Sequence, residues 1–252
     1  ESYPLLRDFV AGQVGPSYKL DKGVISSPSN DLRGIDLGLI TKFPLGRIIS
    51  HRFNEFDLPD GRRATFSRDC LEVEVLLPDR SGILMTAYVV HLKSKYSRFD
   101  PVEDPEEFRR DQERSAAKRE GELLEVMRIA GEARDPAVDR FAILGDFNDT
   151  PDSAALAPAI APGNALGLVD SSTLIDAPDG AGGSSERRRP RDTHRWSRFD
   201  RVEGRRMTTY SQIDFILCSP PLFALAEAAR VETRSYTTGS DHSLYRVDFR
   251  MP

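Results

Sequence analysis

Short apolar runs of strand length recur along the chain, separated by turn residues and by one long helical pattern. The strand-like runs cover residues 35–40, 68–75, 83–90, 141–144, 213–217, 231–236 and 244–249. Between residues 105 and 130, apolar residues instead recur with a helical period among Glu, Arg and Lys, which predicts a helix with a solvated charged face. This helix lies between two of the strands and gives a strand, helix, strand order.

Weaker patterns predict smaller elements. The second strand-like run alternates, with Glu72 and Glu74 opposite its apolar positions, so this strand is expected to be half exposed. Apolar residues at helical spacing predict helices at residues 5–10, 152–161 and 222–229.

Polar side chains follow the apolar run at residues 141–144. Gly145 ends this run, and Asp146 and Asn148 come next at alternate positions. Because side chains two residues apart point to the same side of an extended chain, the carboxylate and the amide can face one ligand. Taken alone, the pattern is more typical of an Asp and an Asn that begin a turn.

Two other strand boundaries carry polar residues. His91 and Lys93 follow the run at residues 83–90, and Arg33 stands just before the run at residues 35–40. A histidine there is commonly structural, and a lysine or arginine is commonly a surface charge. The functional interpretation is that His91 handles protons and that Arg33 contacts phosphate, since a guanidinium matches phosphate oxygens.

Acidic residues mark the carboxyl-terminal part of the chain. Asp214 is a lone carboxylate within an apolar run, so it must be paired or hydrogen-bonded there. Asp241 and His242 are neighbours in a glycine-led turn before the last strand. Aspartate is common in turns for its own backbone hydrogen bonds, so this pair alone is a modest signal.

Residues 180–206 form a basic segment whose first half, to about Asp192, is predicted to be mobile. Farther on, HRWSRF and MTTYSQ are predicted to pair as a hairpin. Trp196, the lone tryptophan, and the surrounding arginines fit two interpretations, a solvated surface or a clamp that stacks a base and holds a phosphodiester. The sequence assigns no partner to His194.

Composition narrows the protein class without naming a function. The 252 residues are 39% hydrophobic and 30% charged, which suits one domain spanning residues 1–252. The formal net charge of −5 gives no overall attraction to nucleic acid, so a polyanion has to be held by local basic groups or a metal ion. Cys70 and Cys218 fit neither a zinc framework nor a disulfide-rich scaffold, although a single bridge between them stays open.

The sequence leaves the cellular location open. No apolar run approaches the ~20 residues that cross a bilayer, and no signal peptide is visible. Cytoplasmic and secreted locations are both compatible with the sequence, and no pattern indicates an obligate protein partner.

The polar clusters together suit the metal-assisted hydrolysis of a phosphate ester, since hard cations prefer oxygen ligands. The segments DLRGIDLGLI, HLKSK, GDFNDTP, IDFILCSP and SDHS, in that order, resemble the endonuclease/exonuclease/phosphatase superfamily and its deoxyribonuclease-like bacterial branch. The resemblance covers essentially the whole chain. It implies an α+β fold, a four-layer α/β/β/α sandwich of two mostly antiparallel sheets packed face to face, with the site at one edge.

The resemblance also implies roles for individual residues. Asp146 matches the aspartate that activates the attacking water and helps to bind Mg²⁺ or Mn²⁺, and Asn148 matches the group that steadies the phosphate. His91 matches the general acid for the leaving oxygen. Lys93, like Arg33, is expected to contact the substrate.

The remaining roles fall near the carboxyl terminus. Asp241 matches a carboxylate that binds or supports the metal ion. His242 matches a histidine that contacts the scissile phosphate, and Asp214 matches the aspartate that holds its tautomer. The expected substrate is therefore a phosphate ester, with DNA or RNA favoured by the basic residues.

One departure from the family pattern affects the metal site. The family's amino-terminal strand with an asparagine, and the metal-binding glutamate that follows it, are not seen in this chain. Glu1 is expected to be the second glutamate of the family's Glu-Val-Glu stretch rather than the ligand, so the domain is predicted to be N-terminally incomplete.

Three functions are compatible with these residues. The leading one is divalent-metal-dependent hydrolysis of phosphodiester bonds in nucleic acid, as an endonuclease or an exonuclease. A phosphomonoesterase or a lipid or inositol phosphate hydrolase would use the same site. A non-catalytic module that binds phosphate or nucleic acid is the third, and the missing glutamate is its best argument.

Overall fold

A computed structural model describes residues 3–14, 23–176, 183–200, 204–232 and 240–251. The strands are β1 (Val24–Ser27), β2 (Leu37–Ile40), β3 (Leu45–Ser50), β4 (Phe56–Asp57), β5 (Arg63–Ala64), β6 (Cys70–Leu76), β7 (Ile83–His91), β8 (Phe141–Asp146), β9 (Val169–Asp170), β10 (His194–Asp200), β11 (Arg205–Ser211), β12 (Asp214–Cys218), β13 (Ala226–Glu232) and β14 (Leu244–Phe249). The helices are α1 (Tyr3–Phe9), α2 (Pro105–Ala133), α3 (Ala157–Ile160) and α4 (Pro220–Phe223), with a π-helical segment at Val10–Val14 and a 3₁₀ turn at Ser171–Leu174.

Six strands form a central sheet in the order β3-β6-β7-β8-β12-β9. β7 and β8 are parallel, whereas the other neighbouring pairs of this sheet are antiparallel. Helix α2 joins β7 to β8, which is the long connection that a parallel pair requires. The carboxyl ends of β7 and β8 and the amino end of β12 therefore meet at one edge.

One face of the central sheet packs against α2 and α3. Alternate positions of β7 and β8 point to this face, so Tyr88, Phe141 and Ile143 share the main core with Leu123 of α2. The rings of Tyr88 and Phe141 meet edge to face with their centroids 6.1 Å apart. Removal of these large apolar side chains from water is the main driving force for this packing.

The opposite face of the sheet is covered by two hairpins. Leu37 of hairpin β1–β2 packs against Leu71 and Val73 of β6. Phe249 of hairpin β13–β14 packs against the cluster around Ala142 of β8. Helices on one face and β layers on the other confirm the predicted α+β class, and in the described residues these two hairpins form the second β layer.

The prediction that strand β6 is half exposed is wrong. The side chains of Glu72 and Glu74 are only 2% and 15% exposed. Arg47 donates to Glu72 at 3.0 Å, and Arg134 at the end of α2 donates to Glu74 at 2.6 Å. The alternation in the sequence correctly assigned Glu72 and Glu74 to one face of the strand. That face is nevertheless buried, because cations from other elements compensate the charge of its carboxylates.

The prediction of a helix at residues 222–229 is also wrong. Helix α4 ends at Phe223, and Ala226–Glu232 form β13, which pairs with β14. Alanine and glutamate favour helices, but pairing with β14 overrides this weak local preference. The helix predicted at residues 152–161 is reduced to one turn, and the part of the strand predicted at 231–236 that follows residue 232 lies outside the described residues.

The predicted pairing of HRWSRF with MTTYSQ is confirmed, because β10 pairs with β11 over their whole lengths, while residues 201–203 of the predicted turn lie outside the described residues. The predicted mobility of the preceding basic residues stays a prediction, and residues 180–182 lie outside the described part. Cys70 and Cys218 are buried free thiols, so no bridge joins them. Of the helices within the described ranges, none combines the length and apolar character needed to cross a bilayer.

Candidate active site

Three neighbouring strands of the central sheet present polar side chains at the same edge. His91 ends β7, Asp146 ends β8, and Asp214 begins β12. Asp146 stands in register with both His91 and Asp214. Apolar residues two positions farther into these strands face the hairpin layer, so all three polar side chains point to that side.

His91, Asp146 and Asp214 form a row across the three strands. Gly145 allows β7 and β8 to approach each other directly beside this row. Its φ is +137°, and an added Cβ would clash with the carbonyl oxygen of Val90. Glycine is therefore required here for backbone conformation and for space.

Asn148 begins the loop that follows β8. Its φ is +54°, a left-handed conformation that asparagine tolerates better than most residues. Its side-chain amide donates to the carbonyl of Leu92 at 3.0 Å and to Asp146 Oδ2 at 3.2 Å. Its backbone N–H donates to Asp146 Oδ1 at 2.7 Å. Asn148 thereby fixes the carboxylate plane of Asp146.

His242 approaches the row from the turn before β14. Its Nδ1 lies 2.9 Å from Asp214 Oδ2, and its Nε2 lies 3.9 Å from Asp146 Oδ2. His91 Nε2 lies 3.3 Å from the same oxygen of Asp146. Asp146, Asp214 and His242 each offer one ligand atom, and these atoms lie within 4.8 Å of one another. Two carboxylates and an imidazole at this spacing suit a divalent cation.

Asp241, the other predicted metal ligand, stands apart from this cluster. Its side chain is 67% exposed, and its Oδ2 lies 3.7 Å from His194 Nε2. The turn brings the imidazole of His242 to the row and leaves the adjacent carboxylate at the rim.

Burial and mutual charge set the protonation of the cluster. Burial, and after it the charge of Asp214, raises the pKa of Asp146. Burial and the charge of Arg68 lower the pKa of His91 to about 3, so its imidazole is neutral at neutral pH. Burial lowers the pKa of His242, but its hydrogen bond to Asp214 outweighs this and the net result is a pKa of about 9. His242 is therefore an imidazolium held against Asp214.

His194 and Thr193 are site residues that sequence reasoning missed. The rings of His194 and His242 lie 4.9 Å apart, and the two residues form an antiparallel β-bridge. The Thr193 hydroxyl accepts hydrogen bonds from the amides of Ile213 and Asp214, both at 3.1 Å. The only signal in the sequence was their position at the start of the predicted hairpin.

Arg68 is another residue that sequence reasoning missed, and its contacts hold the backbone next to the site. Its buried guanidinium donates to the carbonyl of Leu92 at 3.0 Å and pairs with Asp31 at 3.1 Å. The predicted phosphate contact Arg33 is 61% exposed and pairs with the same Asp31 at 2.7 Å. Its hydrogen bond holds the pKa of Asp31 below the usual range.

Lys93 follows His91, and its position is set by α2. The amide of Lys93 donates to the buried carboxylate of Glu122 at 2.7 Å, and the amide of Ser67 donates to the same side chain at 2.6 Å. Glu122 therefore fixes the backbone after β7 to the helix.

A second buried contact joins α2 to the loop after β8. Arg119 pairs with Asp149 at 2.6 Å, and both side chains are 3% exposed. Arg119 also donates to the carbonyl of Lys93 at 2.8 Å, and Lys95 pairs with Asp149. Through this pair, α2 holds the loops after β7 and β8 at a fixed separation.

Replacing Asp149 by asparagine tests this support. The amide keeps the shape of the side chain but leaves the Arg119 and Lys95 charges uncompensated, so we expect a loss of about 2 kcal/mol in the free energy of unfolding. Urea denaturation measures it. Asp79→Asn in an exposed turn is the control and should leave the free energy of unfolding nearly unchanged. An equally small change for Asp149→Asn would contradict the support role.

The chain matches a known protein family over most of its length. The model of the Endonuclease/Exonuclease/phosphatase family matches residues 4–242 of the chain, which confirms the predicted resemblance. No curated protein sequence gives a significant match.

Solved structures share the fold at low sequence identity. The 3′ phosphatase NExo from Neisseria, bound to a product DNA hairpin, aligns with a TM-score of 0.50 at 17% identity, over 98% of this chain and 93% of that one. The human Nocturnin catalytic domain with bound sulfate aligns with a TM-score of 0.53 at 16% identity, over 96% and 78%. A mannosyl-6-phosphatase from Bacteroides thetaiotaomicron aligns with a TM-score of 0.50 at 16% identity, over 98% and 81%.

Proposed function

Because this chain belongs to the endonuclease/exonuclease/phosphatase family, whose members hydrolyse phosphate esters, we propose that it hydrolyses phosphodiester bonds of nucleic acid with the help of Mg²⁺ or Mn²⁺. The observation that carries the proposal is the meeting of His91, Asp146, Asp214 and His242 at one sheet edge. These residues come from distant parts of the sequence and supply carboxylates and imidazoles to one small volume.

The donor set fits a divalent cation. Asp146 and Asp214 are neighbouring carboxylates, and burial together with their mutual charge raises the pKa of Asp146. A cation held by Asp146 and Asp214 would relieve that repulsion, with Asp241 at the rim as a further candidate, while His242 as an imidazolium carries a proton on both ring nitrogens and is not a ligand. Bound there, Mg²⁺ or Mn²⁺ supplies positive charge for the phosphate oxygens.

Side chains of the protein carry out the proton transfer and the binding of the phosphate. Asp146 accepts the proton of the attacking water, and Asn148 holds that carboxylate; to steady the phosphate as well, its amide would exchange one of its hydrogen bonds, to Leu92 or to Asp146, for a phosphate oxygen. The imidazolium of His242 presents its Nε2–H to a phosphate oxygen while Asp214 fixes its orientation through Nδ1.

His91 serves the leaving oxygen in this proposal. Its low pKa makes it neutral in the free site, so it first has to gain a proton. The negative charge of a bound phosphate favours this uptake, and the imidazolium then passes the proton to the leaving alkoxide. Lys93 and Arg33 lie at the two strand boundaries from which they would contact the substrate backbone.

Nucleic acid is favoured over a small ester by the charge near the site. Hairpin β10–β11 begins at His194, and its two strands contain four arginines and a single acidic residue, in a chain of net charge −5. Phosphate contacts of this kind hold nucleic acid without reading its sequence. The DNA hairpin bound to NExo is compatible with the same substrate class.

A panel of substrates tests the proposal. We expect hydrolysis of plasmid DNA, single-stranded DNA or RNA with Mg²⁺ or Mn²⁺, loss of activity with EDTA, and recovery when the ion is restored. Hydrolysis of inositol or sugar phosphates alone would instead assign a phosphomonoesterase or lipid-type hydrolase. Full-length protein that binds oligonucleotides but hydrolyses none of them with any metal ion would be a binding module.

A further inference from the structure

We propose that one face of hairpin β10–β11, the face that carries His194, Trp196 and Arg198, binds unpaired nucleotides of a single-stranded nucleic acid next to the bond that is cut. The inference rests on the proposed function and adds a substrate class to it. We call this surface the stacking face.

The stacking face begins inside the candidate site. The ring of His194 lies 4.9 Å from that of His242. At the same open end of the hairpin, β11 finishes at Ser211, which pairs with His194 and stands three residues before Asp214. Both strands of the hairpin therefore lead directly to residues of the active site.

Alternation along β10 puts Trp196 and Arg198 on the same side as His194. The guanidinium carbon of Arg198 lies 5.4 Å from the centroid of the Trp196 ring, which agrees with this placement. Two residues of strand span about 7 Å, and two nucleotides of a stacked strand also rise about 7 Å. A strand that leaves the site along β10 would therefore reach Trp196 within a few nucleotides.

The chemistry of this face suits a nucleobase. Trp196 is 47% exposed, although burial of such a large apolar ring is normally favourable. An aromatic ring with a neighbouring guanidinium can stack an unpaired base and attract the adjacent phosphate. A duplex hides its base faces, and a sugar phosphate has no base to stack.

The charge of the hairpin complements a polyanion. The strand register places Arg198 and Arg205 on the stacking face and Arg195 and Arg206 on the opposite face, and the two strands contain one acidic residue, Asp200. In a chain of net charge −5 this is a local concentration of positive charge. Single-strand binding grooves combine the same two features, aromatic platforms and basic residues that follow the backbone.

Fluorescence can test the inference without turnover, because Trp196 is the lone tryptophan of the chain. The probe is a ten-nucleotide oligothymidylate added to the Asp146→Asn variant in EDTA. We expect it to quench Trp196 emission, whereas an abasic oligomer of the same length and charge quenches much less. Equal quenching by the two oligomers, or none by either, would overturn the inference.

Substitutions give a second test. Trp196→Ala should weaken binding of a dye-labelled oligothymidylate, measured by anisotropy, by roughly 5-fold to 150-fold. Trp196→Phe should retain most of the affinity. The matched control is Phe199→Ala, which removes a 64% exposed aromatic side chain from the opposite face of the same strand. A loss of affinity for Phe199→Ala as large as that for Trp196→Ala would contradict a specific stacking face.

Failure of this inference and failure of the proposed function give different results. Trp196→Ala should hydrolyse bis(p-nitrophenyl) phosphate at the wild-type rate, because this small diester does not extend to the hairpin. If the wild-type protein hydrolyses no diester at all, the proposed function is wrong. If it cleaves the small diester and oligonucleotides but Trp196→Ala binds oligothymidylate normally, only the stacking face is wrong.

Discussion

Asp146→Asn is expected to lower the rate of phosphodiester hydrolysis by about a thousandfold or more. Asparagine keeps the shape of the side chain and an oxygen that can accept the amide of Asn148. It cannot take a proton from water at neutral pH, and it is a weaker ligand for a hard cation. Single-turnover rates on a labelled oligonucleotide measure the effect on the chemical step.

The folded state should survive this substitution. Removal of one of two neighbouring, partly buried carboxylates relieves repulsion with Asp214, so the melting temperature should not fall. Asp57→Asn, at a side chain that is 81% exposed, is the matched control and should keep wild-type activity. A rate within tenfold of wild type for Asp146→Asn would remove Asp146 from the chemistry.

Gly145→Ala should be among the most destabilising single substitutions in the sheet, with a loss of about 4 kcal/mol in the free energy of unfolding. The new methyl group would clash with the carbonyl oxygen of Val90, and φ of +137° is unfavourable for any residue with a Cβ. Separation of β7 from β8 would also move His91 away from Asp146. Chemical denaturation and activity of the same sample would report both effects.

Gly163→Ala separates the two causes. Gly163 also has a positive φ, of +76°, but a Cβ there would meet open space. Its cost should be about 1 kcal/mol, the backbone contribution alone. If Gly145→Ala is no more destabilising than Gly163→Ala, the close approach of β7 and β8 does not matter for stability.

Local patterns were sufficient to locate the main elements. Strands β7, β8 and β14, helix α2 and hairpin β10–β11 all follow from the period of their own apolar residues. The alternate positions of Asp146 and Asn148 likewise placed a carboxylate and an amide at a strand end. These features depend on neighbours in the sequence, which is why a period can predict them.

Other features depend on partners that are distant in the sequence. Burial of Glu72 follows from Arg47 and His51 on a neighbouring segment. His194 became a site residue only because β10 begins beside the turn that carries His242. No period in the sequence contains such a pairing, so sequence patterns predict candidate site residues and the tertiary structure selects among them.

The two cysteines lie on opposite faces of the central sheet. Cys70 belongs to the core beneath α2, and Cys218 belongs to the cluster beneath β14. Burial raises the pKa of each thiol, so neither is reactive while its layer stays closed. Alkylation kinetics followed separately at the two sulfurs therefore distinguish detachment of the helical layer from detachment of the hairpin layer, without any label being engineered into the protein.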